Sequence, residues 1–222
     1  MRPRAIHESP LHNAKFNRYF NDMDWQIENE IITKSGGILI SGVDEAGRGC
    51  LAGDVFAAAV ILPHGLDIPG LRDSKKMSAA ARERLRGVIM EKAVAYAVAS
   101  ASVAEIEEHN ILNAALLAMR RAVGALDPQP GLALIDGNVA RGFAVPAVCV
   151  IGGDDISPNI AAASILAKTA RDAYMLEMDA WWPGYGFAAH KGYGTAAHVR
   201  AIRELGACAV HRASFLGKIH NS

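Results

Sequence analysis

The chain has 222 residues, enough for one domain with an appendage and a sizeable buried core. It is 51% hydrophobic and 21% charged, and its 23 Lys+Arg balance 23 Asp+Glu, which argues against a strongly basic nucleic-acid binder. No apolar run approaches the roughly 18 to 20 residues of a membrane span, and the opening MRPRAIHESPLHNAKF lacks the apolar core of a secretory signal, so an intracellular protein without a membrane segment is expected.

In chain order, residues 1–23 are polar and irregular and read as an extension. WQIENEII, followed by TKSGG, predicts a short helix stopped by glycines. ILISGV (38–43) and DVFAAAVIL (54–62) predict buried strands, and the Gly-Arg-Gly loop between them suits a hairpin. Ser78 caps a helix over SAAARERLRGVIMEK, and AVAYAVASAS alternates as a third strand. Residues 103–126 predict one long helix ended by Asp127-Pro128. LALID (132–136) and VPAVCVI (145–151) are two further strands. A helix over 157–182 follows, capped by Ser157 or Asn159, then a last helix over 195–206 with a glycine stop. Strands first, then strands alternating with helices, predict a mixed α/β sheet, antiparallel at its start and parallel later.

Cys50, Cys149 and Cys208 are scattered, with no CxxC pair, so neither a disulfide framework nor a zinc cluster is supported. Cys208 and His211 have a ligand-like gap, but no second pair joins them. From Gly186 to Ser222 the charge turns basic: Lys191, Arg200, Arg203, Arg212 and Lys218 stand against Glu204 alone. Such a tail beside an acidic centre attracts a phosphate backbone.

Three apolar strands run into acids: ILISGV into Asp44 and Glu45, LALI into Asp136, and VCVI into Asp154 and Asp155. In α/β sheets ligands bind beyond the carboxyl ends of strands. One such Asp is an ordinary turn residue. Acids from three strand ends gathered together would repel one another and raise each other's pKa, and divalent cations would relieve that repulsion. Oxygen ligands without histidine or thiol favour magnesium or manganese. Asp44 and Glu45 are neighbours, so in a regular strand they point to opposite faces. A bend permitted by Gly42, Gly47 and Gly49 would be needed for both to serve one site. GRGCLAG misses the dinucleotide fingerprint by one residue, SILAK is S-x-x-x-K rather than an acyl-transfer S-x-x-K, and no Walker A loop exists.

GVDEAGRG, DSKKMS, HNILNAALLAM, LIDG, GGDD, AAASILAKTARD, YGFAAHKGYGT and HRASF occur in that order. Together they closely resemble bacterial ribonuclease HII, the type 2 ribonuclease H family, over roughly residues 38–216. The resemblance implies an RNase H-like mixed five-stranded sheet flanked by helices over 24–185, with a substrate-contacting helical segment over 186–222. It implies metal-binding catalytic acids at Asp44, Glu45, Asp136 and Asp154, with Asp155 the rival for the last place. It implies two manganese or magnesium ions, Gly47-Arg48-Gly49 sensing a ribose 2′-hydroxyl, and Tyr193 stacking on the next sugar. Ser74, Lys75, Lys76, Ser164, Lys168, Lys191 and the pair His211-Arg212 would touch phosphates or brace the site. The implied substrates are RNA–DNA hybrids and duplex DNA carrying single ribonucleotides, cut on the 5′ side to leave 5′-phosphate and 3′-hydroxyl. The implied protein is cytoplasmic and monomeric.

The chemistry of the residues agrees: glycines let a backbone approach a sugar, and only RNA offers the 2′-hydroxyl. The helix over 157–182 is expected to aim its positive N-terminus at the acids. His190 and His198 are candidates for phosphate contacts or plain surface residues, and Lys168 for a contact or a solvated lysine. Ala161–Ala163 read as a small face that lets that helix lie close on the sheet.

The chain departs from the family pattern at four places. Cys50 and Asp54 stand where proline is usual, which is expected to loosen the hairpin and to add charge near the substrate path. Gly152 replaces a lysine and Asp155 a small residue, which predicts weaker substrate affinity and a greater need for metal, to be compared with Gly152→Lys/Asp155→Ala. A hybrid-binding protein without cleavage and a DNA-only nuclease with the same acids are the rival readings.

Overall fold

The computed structural model describes residues 23–71, 74 and 77–217; the extension up to residue 22, and Lys75, Lys76 and Lys218, lie outside them. Helix α1 (Gln26–Ser35) ends at Gly36, whose left-handed φ of 77° lets its N–H reach the Ile32 carbonyl. Strands β1 (Ile40–Ala46) and β2 (Val55–Ile61) pair antiparallel as the predicted hairpin. Helix α2 (Ala79–Lys92) is capped by Ser78, which accepts from the Ala81 N–H. Strand β3 (Ala95–Ala101) pairs antiparallel with β2.

Helix α3 (Val103–Gly124) opens on a capping box of Ser102 and Glu105. It is not the single straight helix that the sequence predicts. Asn110 breaks it at φ 64°, ψ 163°, and its side chain accepts from the N–H groups of Leu112 and Asn113, capping the second segment. The competing force is local: a short amide side chain can replace a helical hydrogen bond.

Strands β4 (Leu132–Asp136) and β5 (Ala147–Val150) complete the sheet, in the order β3-β2-β1-β4-β5, with β1–β4 and β4–β5 parallel. A 3₁₀ turn over Gly153–Asp155 leads into helix α4 (Pro158–Trp181), which Ser157 caps. Short helices α5 (Phe187–His190) and α7 (Ala213–Leu216) lie either side of α6 (Ala196–Leu205), capped by Thr195. At four residues each, α5 and α7 are too short to show a period in sequence.

Alternation along the strands sorts the two layers. Val43, Ala57, Ala59 and Ile135 pack with α3 residues, while Ala58 and Val60 pack with Ala162, Ala163 and Ile165 of α4 and with Leu85 and Ile89 of α2. Ala161–Ala163 are fully buried, as the small-face reading expects. A Cβ at Gly42 would stand 2.1 Å from backbone atoms of Asn159 and Ile160, so α4 rests directly on β1. Each large aliphatic buried in these layers contributes about 1.5–3 kcal/mol. A smaller cluster of Ala52, Met175, Tyr185, Phe187 and Ala201 joins α4, α5 and α6 to the loop after β1. Among the described residues no helix is long and apolar enough to cross a membrane.

Candidate active site

Strand β1 stays regular through both acids: Asp44 is paired with Ala58 and Glu45 with Ala57. The bend considered from the glycines is not at this point. Asp44 therefore turns to the α4 face and Glu45 to the α3 face, where it lines a small pocket with Leu112, Ala115, Met119, Asp136 and Asn138. Asp136 closes β4, and its Oδ1 accepts from the Gly153 N–H at 2.8 Å. Asp154 sits in the 3₁₀ turn rather than on a strand end.

Register and turn together bring one carboxylate oxygen from each of Asp44, Asp136 and Asp154 within 4.8 Å of the others. Glu45 flanks this trio without being part of it. Asp154 is 6% exposed, while its rival Asp155 faces out. Asp44 is 3% exposed. Burial, and then the charges of Glu45, Asp136 and Asp154, hold its pKa well above the usual carboxylate range, against a hydrogen bond from Ser164. Its carboxylate also accepts from the Glu45 N–H at 2.7 Å. Three hard oxygens converging in a buried, negatively loaded place fit a divalent cation.

Ser164 and Ser74 are both buried, with their hydroxyls 2.8 Å apart. Their place is behind Asp44, as a relay that orients it. Arg82 donates to the Ser74 and Met77 carbonyls at 3.0 and 2.7 Å; Lys75 and Lys76 lie outside the described residues. Lys168 pairs with Asp172 at 2.7 Å and stands 5.6 Å from the Tyr193 ring centroid, a cation–π distance. Tyr193 is 43% exposed, so its ring offers a surface for stacking. The Lys191 ammonium turns back to the Ala188 carbonyl.

The Gly-Arg-Gly loop is pinned from beneath. At Gly47, φ is 99° and a Cβ would fall 1.9 Å from Arg171 Nε, so only glycine fits. Arg171 is buried and donates to the carbonyls of Asp54, Lys191 and Ala52 at 3.1, 2.8 and 3.0 Å. Arg212, equally buried, donates to the carbonyls of Arg48, Cys50 and Gly53 at 3.0, 2.9 and 2.6 Å. Arg48 itself is exposed and reaches Glu45 at 3.2 Å. Sequence reasoning passed over Arg171. The signal was there: Ser164, Lys168 and Arg171 lie four and three residues apart, on one face of α4.

Of the two histidines predicted as phosphate contacts or surface residues, His198 is internal and His190 is half-buried. His198 is fully buried, donates from Nδ1 to the Tyr193 carbonyl at 2.9 Å, and meets His211 Nε2 at 3.0 Å. His211 Nδ1 accepts from the Cys208 N–H at 2.9 Å. His190 bonds the Tyr185 carbonyl and the Gly192 N–H. Each ring nitrogen of His198 and His211 thus has a partner with both rings neutral. Burial pushes the pKa of His198 down to about 4 and that of His211 in the same direction.

The departures are knitted in. Cys50 is fully buried and bridges in antiparallel fashion to Tyr193, and Asp54 accepts from the Val103 N–H at 3.0 Å at the start of α3. Asp54 therefore faces the N-terminus of α3, and both residues that replace the usual prolines are tied into the structure. Gly152 has φ 67°, so a lysine there would be held in the left-handed region. A helix N-terminus aimed at the acids is likewise not the whole arrangement. The carboxylate bonded at the start of α4, through Ser157 and Asn159, is Glu28 of α1.

Comparison with known proteins accords with this architecture. The family model described as Ribonuclease HII matches residues 41–218. A ribonuclease HII of Laribacter hongkongensis is 57% identical over 178 residues, covering 79% of this chain and 90% of the relative. One from Geotalea uraniireducens is 49% identical over 187 residues, covering 84% and 87%. Among solved structures, ribonuclease H2 of Pyrococcus horikoshii superposes with a TM-score of 0.68 at 21% identity, covering 82% of this chain and 97% of that one. The RNase HII of Archaeoglobus fulgidus, solved in complex with PCNA, gives 0.65 at 23% identity over 79% and 94%. Bst-RNase HIII, solved in complex with Mn2+, gives 0.54 at 20% identity over 76% and 63%. These last three share the fold. The match to the family model and to relatives at half identity or more shows that the chain belongs to the ribonuclease HII family, endonucleases of the ribonuclease H class that act on RNA–DNA hybrids.

Proposed function

We propose that this chain cuts duplex DNA on the 5′ side of single embedded ribonucleotides as well as the RNA strand of hybrids, leaving 5′-phosphate and 3′-hydroxyl ends. The observation that carries the reading is the convergence of Asp44, Asp136 and Asp154 at one end of the sheet. These three, with Glu45 at their flank, would hold manganese or magnesium, and the manganese complex of the related Bst-RNase HIII supports that choice. Divalent ions held by these carboxylates would supply Lewis-acid stabilisation of the phosphoryl oxygens and a water of lowered pKa.

The chain's own residues orient and select. Ser164 fixes the Asp44 carboxylate, and Gly153 fixes that of Asp136. The backbone of Gly47-Arg48-Gly49, held by Arg171 and Arg212, offers a close approach to a ribose and its 2′-hydroxyl. The exposed Tyr193 ring, beside Lys168, takes the neighbouring sugar, and the Lys168 and Lys191 charges favour phosphate. The proposed setting is cytoplasmic removal of ribonucleotides from DNA by a monomer.

A labelled duplex with one ribonucleotide, beside an all-DNA control, tests the reading in manganese or magnesium. One metal-dependent nick 5′ to the ribonucleotide is expected. Asp136→Asn, which removes several kcal/mol of transition-state stabilisation, should lower the rate by at least ~10³-fold. Tight binding without a nick would overturn the nuclease reading in favour of a hybrid-binding protein, and cleavage of the all-DNA control would favour a DNA nuclease.

A further inference from the structure

The Lys168 ammonium has two anionic places within its reach, and the structure holds it in one of them. Ser164, Lys168 and Asp172 follow one another at four-residue intervals along α4, so they stack one turn apart, about 5–6 Å between neighbours. Helical side chains lean toward the N-terminus of their helix. Lys168 is thereby inclined toward Ser164, and Ser164 bonds the buried carboxyl of Asp44. An unpaired ammonium so close to Asp44 and its neighbouring acids would be drawn to them.

The observed ammonium goes the other way. It meets Asp172 Oδ1 at 2.7 Å and stands 5.6 Å from the Tyr193 ring centroid. The Lys168 and Asp172 side chains are 19% and 20% exposed, so water and salt screen the pair less than a surface pair. On an isolated helix, a cation four residues ahead of an anion is the weaker order of such a pair. Helix geometry alone therefore does not account for it. Asp172 is fixed from outside the helix: its Oδ2 lies 3.7 Å from Arg82 Nη2 of α2. Arg82 is in turn held by the Ser74 and Met77 carbonyls, and Ser74 bonds Ser164. One carboxylate thus ties the cation beside the ring to the same side-chain network that orients Asp44.

We propose that Asp172 is a positioning residue of the nuclease, holding the Lys168 ammonium beside Tyr193 and off Asp44. Asp44 then keeps its charge for a divalent cation, and a cation remains at the ring where the neighbouring sugar and its phosphate arrive. The inference rests on the nuclease reading of the site.

The test measures Mn2+ binding to the full chain by electron paramagnetic resonance, without substrate, and then cleavage of a duplex with one ribonucleotide. Asp172→Asn releases Lys168, so Mn2+ binding should weaken about tenfold. The same variant should raise KM about 3- to 10-fold, through the lost cation at the ring. Adding Lys168→Met to Asp172→Asn removes the released ammonium. Mn2+ binding should then return to within about twofold of the unaltered chain, while KM stays raised. A merely structural role for Asp172 would give no such rescue. Asp172→Glu keeps a carboxylate and should bind Mn2+ as the unaltered chain does. Lys168→Met alone should raise KM and bind Mn2+ no more weakly, which keeps the test decisive if Asp172→Asn fails to fold. The proposal is overturned by unchanged Mn2+ affinity in Asp172→Asn, by a double variant as weak as Asp172→Asn, or by weaker Mn2+ binding in Lys168→Met. Because the Mn2+ measurements use no substrate, they decide the placement of Lys168 even if the unaltered chain fails to cleave, an outcome that would sink the nuclease reading separately.

Discussion

At the scale of single residues, the site depends on how Asp44 is held. Its carboxylate takes hydrogen bonds from the Glu45 N–H and from Ser164, and Ser74 stands behind Ser164. Groups one step removed from a metal ligand are typically worth 10- to 100-fold in affinity or activity. Ser164→Ala should therefore lower the cleavage rate about 10- to 100-fold and raise the metal concentration needed for half-maximal rate. Ser74→Ala, one bond further away, should do less. Equal metal titrations for Ser164→Ala and the unaltered chain would show the bond to be idle. The acids were legible in sequence because each follows an apolar run into a turn. Their division between faces was not, because whether Glu45 shares the site depends on whether β1 bends, and the ladder to β2 holds it regular through Ala46.

At the scale of elements, two features govern the loops around the acids. Arg171 and Arg212 send seven hydrogen bonds of 2.6–3.1 Å, from their guanidiniums, into six carbonyls around the Gly-Arg-Gly loop and at Lys191. Arg171→Lys keeps the charge and loses the planar fork, leaving buried carbonyls without donors at about 1–3 kcal/mol each. It should lower the melting temperature and raise KM for a duplex with one ribonucleotide more than it lowers kcat. An unchanged KM would separate the loop from the arginine. The break in α3 is the second feature. Asn110 lies in a backbone region that suits glycine, at a cost of order 1–3 kcal/mol, and its side chain repays part of this by capping. Asn110→Ala keeps the strain and loses the cap, so it should destabilise by about 1–2 kcal/mol in denaturant unfolding. Asn110→Gly should cost less, and the reverse order would refute the capping account. The apolar period of residues 103–126 runs through Asn110 without interruption, which is why the break was not legible.

At the scale of the whole molecule, the segment after α4 is joined to the sheet end by backbone bridges and held together internally by buried neutral histidines. Leu51 N–H meets the Gly192 carbonyl, Gly53 N–H meets that of Val210, and Arg212 N–H meets that of Leu51, each at 2.8 Å. His198 is held at a pKa of about 4 and His211 is lowered, both by burial, while unfolded histidine titrates near 6.5. Between those values the unfolded chain binds more protons than the folded one. This contribution to stability is thus complete above about pH 6.5 and is lost as pH falls toward 4. Melting temperature should drop across that window, and His198→Gln should flatten the drop; a parallel curve for the variant would assign the drop to other groups. The sequence by itself determined the strands and the mixed character of their sheet, the main helices, the acids and the small face of α4, because hydrophobic period, turn residues and motif spacing are local. Motif spacing already favoured Asp154 over Asp155, whereas only the tertiary structure decided that Glu45 stands on the other face, that Arg171 underlies the loop, and that His198 and His211 are internal. Those outcomes depend on strand register and on which surfaces come together across long stretches of chain, and no local pattern of residues encodes either.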